Sequence, residues 1–124
     1  MVTIYILELE QGNYYVGKWK PTDVGKRIEQ HFSGKGAKWT KKYRPVRVCR
    51  IIEDMIDEDE TELTIEMMKI HGIENVRGGS LSRVRLTKKD WNWAMWKCGF
   101  TDKRPSSFDR FSKPNYVFRR GRKR

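Results

Sequence analysis

The apolar positions of this chain fall into short β-branched runs near its start and longer helical stretches further on. Residues 2–7 are β-branched, aliphatic or aromatic and predict a first strand. Gln11-Gly12-Asn13 supplies turn chemistry, so residues 14–18 are expected to return as the second strand of a hairpin. The apolar positions within residues 46–52 indicate a third strand. We therefore expect a three-stranded antiparallel sheet.

Three helices are predicted from cap and stop residues that bracket the remaining periodic stretches. Their expected bounds are Thr22 or Asp23 to about Ser33, Asp57 or Asp59 to Gly72, and Lys88 to Cys98 with Thr87 as the cap. Residues 35–45 are expected to form a basic loop and residues 81–86 a short strand. A sheet flanked by helices in this order is a small α+β domain.

Charge and length divide the 124 residues into one domain and two extensions. The length favours a single domain, which we place at residues 1–86, followed by a Trp-rich helical extension at 87–102. Residues 103–124 hold nine basic residues and one acid, and they are expected to form a flexible basic tail. Residues 18–50 hold eleven bases and two acids, whereas residues 53–66 hold eight acids and no base. This pattern predicts a basic face and one acidic helix.

The net charge of +11 points to a polyanionic partner, and nucleic acid is favoured over an anionic membrane. No apolar run approaches the roughly 20 residues that a membrane span needs. Residues 1–9 are too short and too acidic for a signal peptide. Cys49 and Cys98 make neither a disulfide framework nor a thiol zinc site, so we expect core thiols and a reducing, intracellular compartment.

Two phenols, a guanidinium and an imidazole are concentrated in the first quarter of the chain. Tyr5 and Tyr15 lie ten residues apart on the predicted hairpin. Arg27 and His31 follow four residues apart, on one face of the first helix, which we expect to face solvent. A guanidinium matches phosphate oxygens, and an imidazole exchanges protons near neutral pH. The set can hold a scissile phosphate, neutralise its charge and move a proton.

In the order of these residues the chain resembles the GIY-YIG nuclease family. The matching elements are Thr3-Ile4-Tyr5 and Tyr15-Val16-Gly17 for the two signatures, Arg27 and His31 on the helix, the loop at residues 35–45, and Asn75 near the end of the domain. Thr3 replaces the first glycine of the family signature. The resemblance covers about residues 1–86. It implies a metal-dependent DNA endonuclease, with branched, flapped or otherwise non-B DNA as the favoured substrate.

The resemblance also implies a metal-binding glutamate on the helix after the third strand. Glu60, Glu62 and Glu66 compete for this position, and an offset from the apolar pair of the helix would place Thr64 there instead. Helical geometry favours Glu60, near the centre of the inward face, whereas Glu62 and Glu66 are expected to point to solvent. A carboxylate on the inward face needs a cation. We therefore favour Glu60 as the ligand of Mg²⁺ or Mn²⁺, with Glu62 as the alternative.

Roles for the remaining residues follow from the same resemblance. The metal would polarise the phosphate and stabilise the leaving oxygen, and Arg27 would offset charge that develops on the phosphoryl group. Tyr5, or His31 together with Tyr15, would help to deprotonate the attacking water. Asn75 would orient a ligand or brace a loop.

Bases interleaved with aromatic residues predict a surface for nucleic acid. The candidate contacts are Lys18, Lys35, Lys38, Trp39, Lys41, Lys42, Arg44, Arg77, Arg119 and Arg120. Trp91, Trp93 and Trp96 are interpreted mainly as helix packing, and stacking on unpaired bases is the alternative for exposed members of this set. Two other classes remain open at this point: a nuclease-fold binding module without catalysis, and a small basic structural DNA- or RNA-binding protein.

Overall fold

The sheet has four strands rather than the predicted three. The computed structural model describes residues 1–105, so residues 106–124, with Arg119, Arg120 and most of the basic tail, lie outside the described residues. The strands are β1 (Val2–Leu9), β2 (Tyr14–Trp19), β3 (Pro45–Met55) and β4 (Val76–Gly78), in the order β3-β1-β2-β4. β1 pairs antiparallel with β2 and β3, and β4 runs parallel to β2. The α+β class is confirmed.

Four α-helices accompany the sheet within residues 1–105. They are α1 (Val24–Phe32), α2 (Lys38–Lys42), α3 (Asp57–His71) and α4 (Lys88–Lys97), with single 3-10 turns at Glu10–Gly12, Pro21–Asp23 and Ile73–Asn75. The three predicted helices are confirmed to within one or two residues at each end. The Thr87 hydroxyl accepts from the Asp90 backbone N–H at 3.0 Å, so it caps α4 as expected.

Two segments differ from the sequence prediction. The basic loop at residues 35–45 contains α2, whose five residues are too few to produce a helical pattern. Residues 81–86 do not form a strand, and Leu81 makes an isolated bridge to Gly78. The additional strand is β4 instead. Its three residues, Val-Arg-Gly, are too short to show the alternation that identifies a strand.

β1 separates two hydrophobic clusters because its successive side chains point to opposite faces of the sheet. Ile4 and Ile6 belong to the first cluster, which we call the packing face. Its other buried members are Val16, Met55, Leu63, Ile65, Met68, Ile73, Val76, Leu81, Trp93, Ala94 and Cys98. The second cluster, which we call the site face, contains Tyr5, Leu7, Leu9, Tyr15 and Trp39, with side chains of α1 packed against it.

The two cysteines are free thiols. Cys98 is buried in the packing face, and burial raises the pKa of its thiol to about 11, so it packs rather than reacts. Cys49 is half-buried on β3. In the part of the chain that the structure describes, no helix is both long enough and apolar enough to cross a membrane.

Candidate active site

Tyr5 on β1 and Tyr15 on β2 bring their phenol rings together on the site face. The register pairs Tyr5 with Gly17 and Leu7 with Tyr15, and the two phenol centroids lie 6.3 Å apart. Gly17 is required by this packing, because a Cβ there would lie 2.4 Å from Cζ of Tyr5. The tyrosines and the glycine of the two hairpin signatures therefore form one packed unit.

His31 reaches this pair from α1 and has no exposed surface. Its Nε2 lies 2.7 Å from the Tyr5 hydroxyl, and its ring centroid lies 5.5 Å from that of Tyr5 and 5.0 Å from that of Tyr15. The prediction that His31 faces solvent is wrong. Residues 36–40 fold back over the imidazole, and a helical pattern in α1 alone does not reveal this cover.

The other imidazole nitrogen is held by the segment that leads into α2. His31 Nδ1 lies 3.0 Å from Thr40 Oγ1, and that hydroxyl donates to the Ala37 carbonyl at 2.9 Å. Since the hydroxyl has one proton and a carbonyl only accepts, Thr40 Oγ1 must accept from an Nδ1–H. The Ala37 N–H also approaches Nδ1, at 3.4 Å, but this contact is longer and weaker. We therefore assign the proton to Nδ1, and in this tautomer Nε2 is unprotonated and accepts from the Tyr5 hydroxyl.

Thr40 and Gly36 were not predicted as site residues. Both lie in the basic loop at residues 35–45. The lysines of this loop predicted a surface for nucleic acid and gave no indication of a contact with His31. Gly36 packs so closely that a Cβ there would lie 2.0 Å from His31 Nδ1. In the sequence, the two residues are distinguished only as a glycine and a threonine among the lysines of residues 35–42.

Burial sets the protonation states of these groups. It raises the pKa of Tyr15 to about 12, and it raises the pKa of Tyr5, with the neighbouring Tyr15 acting in the same direction. Burial also lowers the pKa of His31 to about 4, and the charge of Arg27 adds to this shift. At neutral pH the imidazole is therefore uncharged and both phenols are protonated. These states agree with Tyr5 as donor and His31 Nε2 as acceptor.

Arg27 supplies a positive charge beside the phenols. Its half-buried guanidinium stacks over the Trp19 ring at 4.8 Å, and Nη1 donates to Gln30 Oε1 at 2.8 Å. The charge lowers the pKa of Tyr5 and of Tyr15, against the larger effect of burial. The stack and the hydrogen bond hold a planar, fork-shaped donor at the edge of the site.

Glu60, in the first turn of α3, adds a carboxylate to the same group. Its side chain is 13% exposed and lies 3.7 Å from Lys18 Nζ, which also reaches Asp57 at 3.3 Å. Burial raises the pKa of Glu60, and the charge of Lys18 opposes this shift. The negative charge of Glu60 raises the pKa of both Tyr5 and Tyr15, so the carboxylate lies within electrostatic range of both phenols.

Glu62, the alternative ligand, points elsewhere. Its carboxylate lies 3.8 Å from Lys97 Nζ on α4, and its side chain is 19% exposed, so the prediction that it faces solvent is wrong. Thr64 is fully buried, and its hydroxyl donates to the Glu60 backbone carbonyl at 2.8 Å. Of these three positions on α3, Glu60 is the one whose charge acts on the two phenols.

Glu60 offers one carboxylate, the kind of oxygen donor that a hard divalent cation prefers. Among residues 1–105, no group of three or more His, Cys, Asp or Glu side chains could hold a metal ion. A cation at Glu60 would therefore take its other ligands from water and from the phosphate of a substrate. Mg²⁺ is commonly held in this way, by one or two carboxylates with several waters retained, so the residues present fit Mg²⁺ or Mn²⁺.

Asn75 lies at the opposite end of α3 from Glu60. Its Nδ2 donates to the His71 carbonyl at 2.8 Å, one of the carbonyls that the end of a helix leaves unpaired. The stretch from Glu60 to His71 spans about 16 Å, at roughly 1.5 Å per residue. The contact of Asn75 is that of a brace for the turn after α3, which leads directly into Val76, the residue paired with Tyr14 in the register of β2 and β4.

Trp39 and Arg77 are buried, so the prediction that they contact nucleic acid is wrong for this structure. Trp39 is 3% exposed, and its indole N–H donates to the Tyr14 carbonyl at 3.0 Å. Arg77 is 5% exposed, stacks on the Trp39 ring at 4.5 Å and donates to four backbone carbonyls between residues 73 and 84. Charge and aromatic character predicted a surface role, but the two side chains join β4 to α2.

The other basic candidates lie on the surface, beside the site or outside the described residues. Lys18 is half-buried next to Glu60. The exposed members are Lys35, Lys38, Lys41, Lys42 and Arg44. They lie in and around α2, so a cationic patch covers the segment that encloses His31. Arg119 and Arg120 lie beyond residue 105.

Comparison with known proteins matches the part of the chain that carries this site. The family model described as the GIY-YIG catalytic domain matches residues 1–69. A UPF0213 protein of Cupriavidus necator is 44% identical over 67 residues, which cover 54% of this chain and 71% of the relative. A UPF0213 protein of Staphylococcus saprophyticus is 40% identical over 63 residues, 51% of this chain and 72% of the relative. No solved structure gives a significant match.

The chain therefore belongs to the GIY-YIG family, as its signatures indicate. The matched residues include both tyrosines, Arg27, His31 and Glu60, whereas Asn75 lies beyond them. A UPF0213 protein of Halalkalibacterium halodurans is 49% identical over 45 residues, 36% of this chain and 46% of the relative. The match thus spans less than half the length of that relative, and the names of these relatives state no activity.

Proposed function

We propose that this protein is a metal-dependent endonuclease that hydrolyses phosphodiester bonds in DNA, preferably in branched or otherwise non-B DNA. The observation that carries the proposal is the 2.7 Å hydrogen bond between the Tyr5 hydroxyl and Nε2 of the fully buried His31. This bond joins the phenol to an uncharged imidazole whose second nitrogen is held by Thr40, an arrangement suited to passing the phenol proton to Nε2. Membership of the GIY-YIG family supports the same class of reaction.

We assign to Tyr5 the role of the base that takes a proton from the attacking water. Its oxygen accepts a proton from the water while its own proton passes to His31 Nε2. The hydroxide forms a new P–O bond as the bond to the leaving oxygen breaks, and the leaving oxygen takes a proton from solvent. Thr40 keeps the imidazole oriented during the transfer. Tyr15 packs on the imidazole, so we favour Tyr5 over the pair of His31 and Tyr15 as the base.

The resting site does not transfer this proton by itself. Even an ordinary phenol, with a pKa of about 10, lies about six units above the His31 value of about 4, and burial raises Tyr5 further. Six units correspond to about 8 kcal/mol. The phenolate is therefore not populated before substrate binds, and proton transfer must be coupled to bond formation and to nearby positive charge. Arg27 already lowers the pKa of Tyr5.

Arg27 and Glu60 would handle the phosphate and the cation. The guanidinium held by Trp19 and Gln30 can donate to phosphate oxygens and offset charge in the transition state. Glu60 would hold Mg²⁺ or Mn²⁺, which when bound would polarise the phosphate, stabilise the leaving oxygen and favour the phenolate. Lys18 now neutralises Glu60, so cation binding requires this ion pair to loosen.

A second candidate function is a GIY-YIG-fold module that binds nucleic acid without cutting it. The observation that favours it is the state of Glu60, whose pKa is raised by burial and whose carboxylate is paired with Lys18. The exposed bases around α2 would be sufficient for binding through the phosphate backbone. Dependence on a divalent metal separates the two candidates.

Cleavage of labelled plasmid, flap and four-way-junction DNA with Mg²⁺, Mn²⁺ or EDTA tests the proposal. Wild type is compared with Arg27→Ala and with Arg47→Ala. Arg47 is a matched control on β3, and its exposed guanidinium pairs with Glu8 of β1. We expect metal-dependent cuts that fall at least about 100-fold in Arg27→Ala and change less than about twofold in Arg47→Ala. Tight binding without cuts under any metal would refute the nuclease and favour the binding module.

Glu60→Gln and Glu62→Gln are a second matched pair, for the metal. Both carboxylates are mostly buried and paired with a lysine, so the two substitutions disturb the fold to a similar degree. We expect Mn²⁺ binding, followed by electron paramagnetic resonance, to be lost in Glu60→Gln and kept in Glu62→Gln. Loss in both variants, or in neither, would contradict the assignment of Glu60.

A further inference from the structure

A cleft outside the candidate active site lies between α4 and residues 101–105. Its volume is about 850 Å³, which is large enough for a ligand of nucleotide size or more. Nine residues line it, and four of them are basic: Lys88, Lys89, Lys103 and Arg104. None of the nine is acidic, and Trp91, Met95 and Pro105 form the apolar part of the wall. The cleft is therefore cationic with one large aromatic surface.

The three tryptophans of α4 have different surroundings. Trp93 is 1% exposed and belongs to the packing face. Trp96 is half-buried, and the side chains of Lys97 and Arg104 lie over its ring at 6.0 and 5.4 Å. Trp91 is 37% exposed and lines the cleft. Trp91 is thus the member of this set that offers its ring to a ligand.

We propose that this cleft binds a single-stranded segment of nucleic acid, with an unpaired base stacked on Trp91 and phosphates paired with Lys88, Lys89 and Lys103. Aromatic rings among cations recognise single strands because every unpaired base has a π-face and every nucleotide a negative charge. A duplex keeps its base faces stacked and cannot use Trp91 in this way. The inference rests on the proposed function for the identity of the substrate, which becomes DNA with an unpaired strand.

Charge argues against one alternative occupant of the cleft, residues 106–124 of the same chain. Residues 106–124 hold seven basic residues and one acid, the same sign of charge as the cleft. An acidic peptide would satisfy the lysines, but its carboxylates have no π-face to stack on the ring of Trp91. A strand of nucleic acid matches both the cations and the aromatic surface.

Fluorescence anisotropy with the full chain in EDTA tests the inference without cleavage. The probes are a labelled oligo-dT of about 12 nucleotides, an oligo-U of equal length and a blunt duplex. Wild type is compared with Trp91→Ala and with Phe100→Ala, a control residue that is 49% exposed on the same extension but does not line the cleft. We expect Trp91→Ala to weaken oligo-dT binding about tenfold or more and duplex binding less than about twofold, with Phe100→Ala changing neither.

A double substitution, Lys88→Gln with Lys89→Gln, keeps the test valid if Trp91→Ala does not fold. Both lysines are exposed, and we expect the slope of log affinity for oligo-dT against log salt to fall by about 1.4. Unchanged oligo-dT binding in Trp91→Ala and in the double variant would overturn the inference, as would an equal loss for the duplex. Tighter binding of oligo-U than of oligo-dT would overturn the assignment to DNA.

The outcomes separate this inference from the proposed nuclease. Trp91-dependent binding of oligo-dT by a protein that cuts nothing would support the cleft and refute the nuclease. Metal-dependent cleavage by a protein whose oligo-dT affinity does not depend on Trp91 or on the two lysines would refute the proposed binding site but not the proposed nuclease.

Discussion

The two faces of β1 come from one strand but bury different chemistry. On the packing face, Ile4 and Ile6 meet a largely apolar cluster formed with α3 and α4. On the site face, Tyr5 contacts His31, and His31 contacts Thr40. These three residues are 1%, 0% and 0% exposed, respectively. Buried polar groups are unfavourable unless each finds a partner. Here Tyr5 bonds to His31, His31 to Thr40, and Thr40 to the Ala37 carbonyl.

This difference separates what stabilises the fold from what prepares the chemistry. An aliphatic cluster tolerates other apolar side chains of similar volume, so it fixes the sheet against α3 without fixing any single atom. A chain of hydrogen bonds depends on each donor and acceptor, and it holds His31 in one orientation and one tautomer. Substitutions on the packing face should therefore change stability, whereas substitutions on the site face should change activity.

The largest change in stability is expected on the packing face. Ile6→Ala removes a side chain that is 1% exposed, and we expect the free energy of unfolding to fall by about 2–5 kcal/mol. Cleavage per folded molecule should stay within about twofold of wild type, because the Ile6 side chain belongs to the packing face and the phenols belong to the site face. Urea unfolding and cleavage at a matched folded fraction measure both effects. A much larger loss of cleavage would show that the two faces are not separable.

Gly36→Ala should produce the opposite result on the site face. The new Cβ would lie 2.0 Å from His31 Nδ1, so the imidazole or residues 36–40 must move. We expect cleavage to fall about 100-fold, since small displacements of a catalytic group have effects of this size. Gly25→Ala is the matched control, because nothing lies within 4 Å of its new Cβ and Gly25 is within α1. It should leave cleavage unchanged and stabilise the helix by up to about 1 kcal/mol.

Stability should also depend on pH through His31. Its pKa is about 4 in the folded protein and about 6.5 when unfolded, so between these values the folded state binds fewer protons. The free energy of unfolding should therefore fall as pH drops from about 6.5 to about 4, by at most about 3 kcal/mol. Above about 6.5 the group contributes no further change.

Urea unfolding across this pH range, with wild type and His31→Gln, isolates that contribution. Glu60 has a raised pKa and acts in the opposite direction, but it is present in both proteins. An equally steep dependence in His31→Gln would show that the imidazole is not the group that titrates.

The smallest effect is expected at Thr40, which acts through His31. Thr40→Val removes the acceptor for Nδ1–H, whereas Thr40→Ser keeps it. We expect imidazole ¹⁵N spectra to show the Nδ1–H tautomer in wild type and Thr40→Ser, but a mixture of the two tautomers in Thr40→Val. Cleavage should fall about tenfold in Thr40→Val, which corresponds to a net hydrogen bond of about 1.4 kcal/mol. The chain has two histidines, so His71→Gln assigns the signals. An Nε2–H tautomer in wild type would contradict the proposed donor and acceptor order.

Much of the fold and site could be predicted from sequence because it depends on local period and order. The hairpin, the three longer helices and the grouping of Tyr5, Tyr15 and His31 follow from strand alternation, helical caps and the sequence of signatures. Glu60 was favoured over Glu62 because a helix of 3.6 residues per turn points them in different directions, and its role as the metal ligand stays a prediction. The linked expectation that Glu62 faces solvent is wrong, because Glu62 pairs with Lys97 on α4.

The features that were not predicted depend on long-range packing, in particular on how residues 36–40, which show no periodicity, fold over the site. Residues 36–40 cover His31, and no pattern within α1 indicates that cover. Arg77 stacks on Trp39, although 38 positions separate them in the chain, and their charge and ring suggested a surface. β4 escaped prediction because three residues show too little alternation. Long-range packing therefore decided which basic and aromatic residues are available to a ligand.

Single-turnover cleavage of a junction or flap substrate by Tyr5→Phe tests the central claim most directly. Tyr14→Phe is the control, because Tyr14 lies on β2 with its ring stacked on His71 at 4.0 Å. We predict that Tyr5→Phe lowers the Mg²⁺-dependent rate about 10²- to 10⁴-fold, while Tyr14→Phe stays within about twofold and both variants remain folded. A Tyr5→Phe protein that cuts at the wild-type rate would contradict the assignment of the Tyr5–His31 pair to proton transfer.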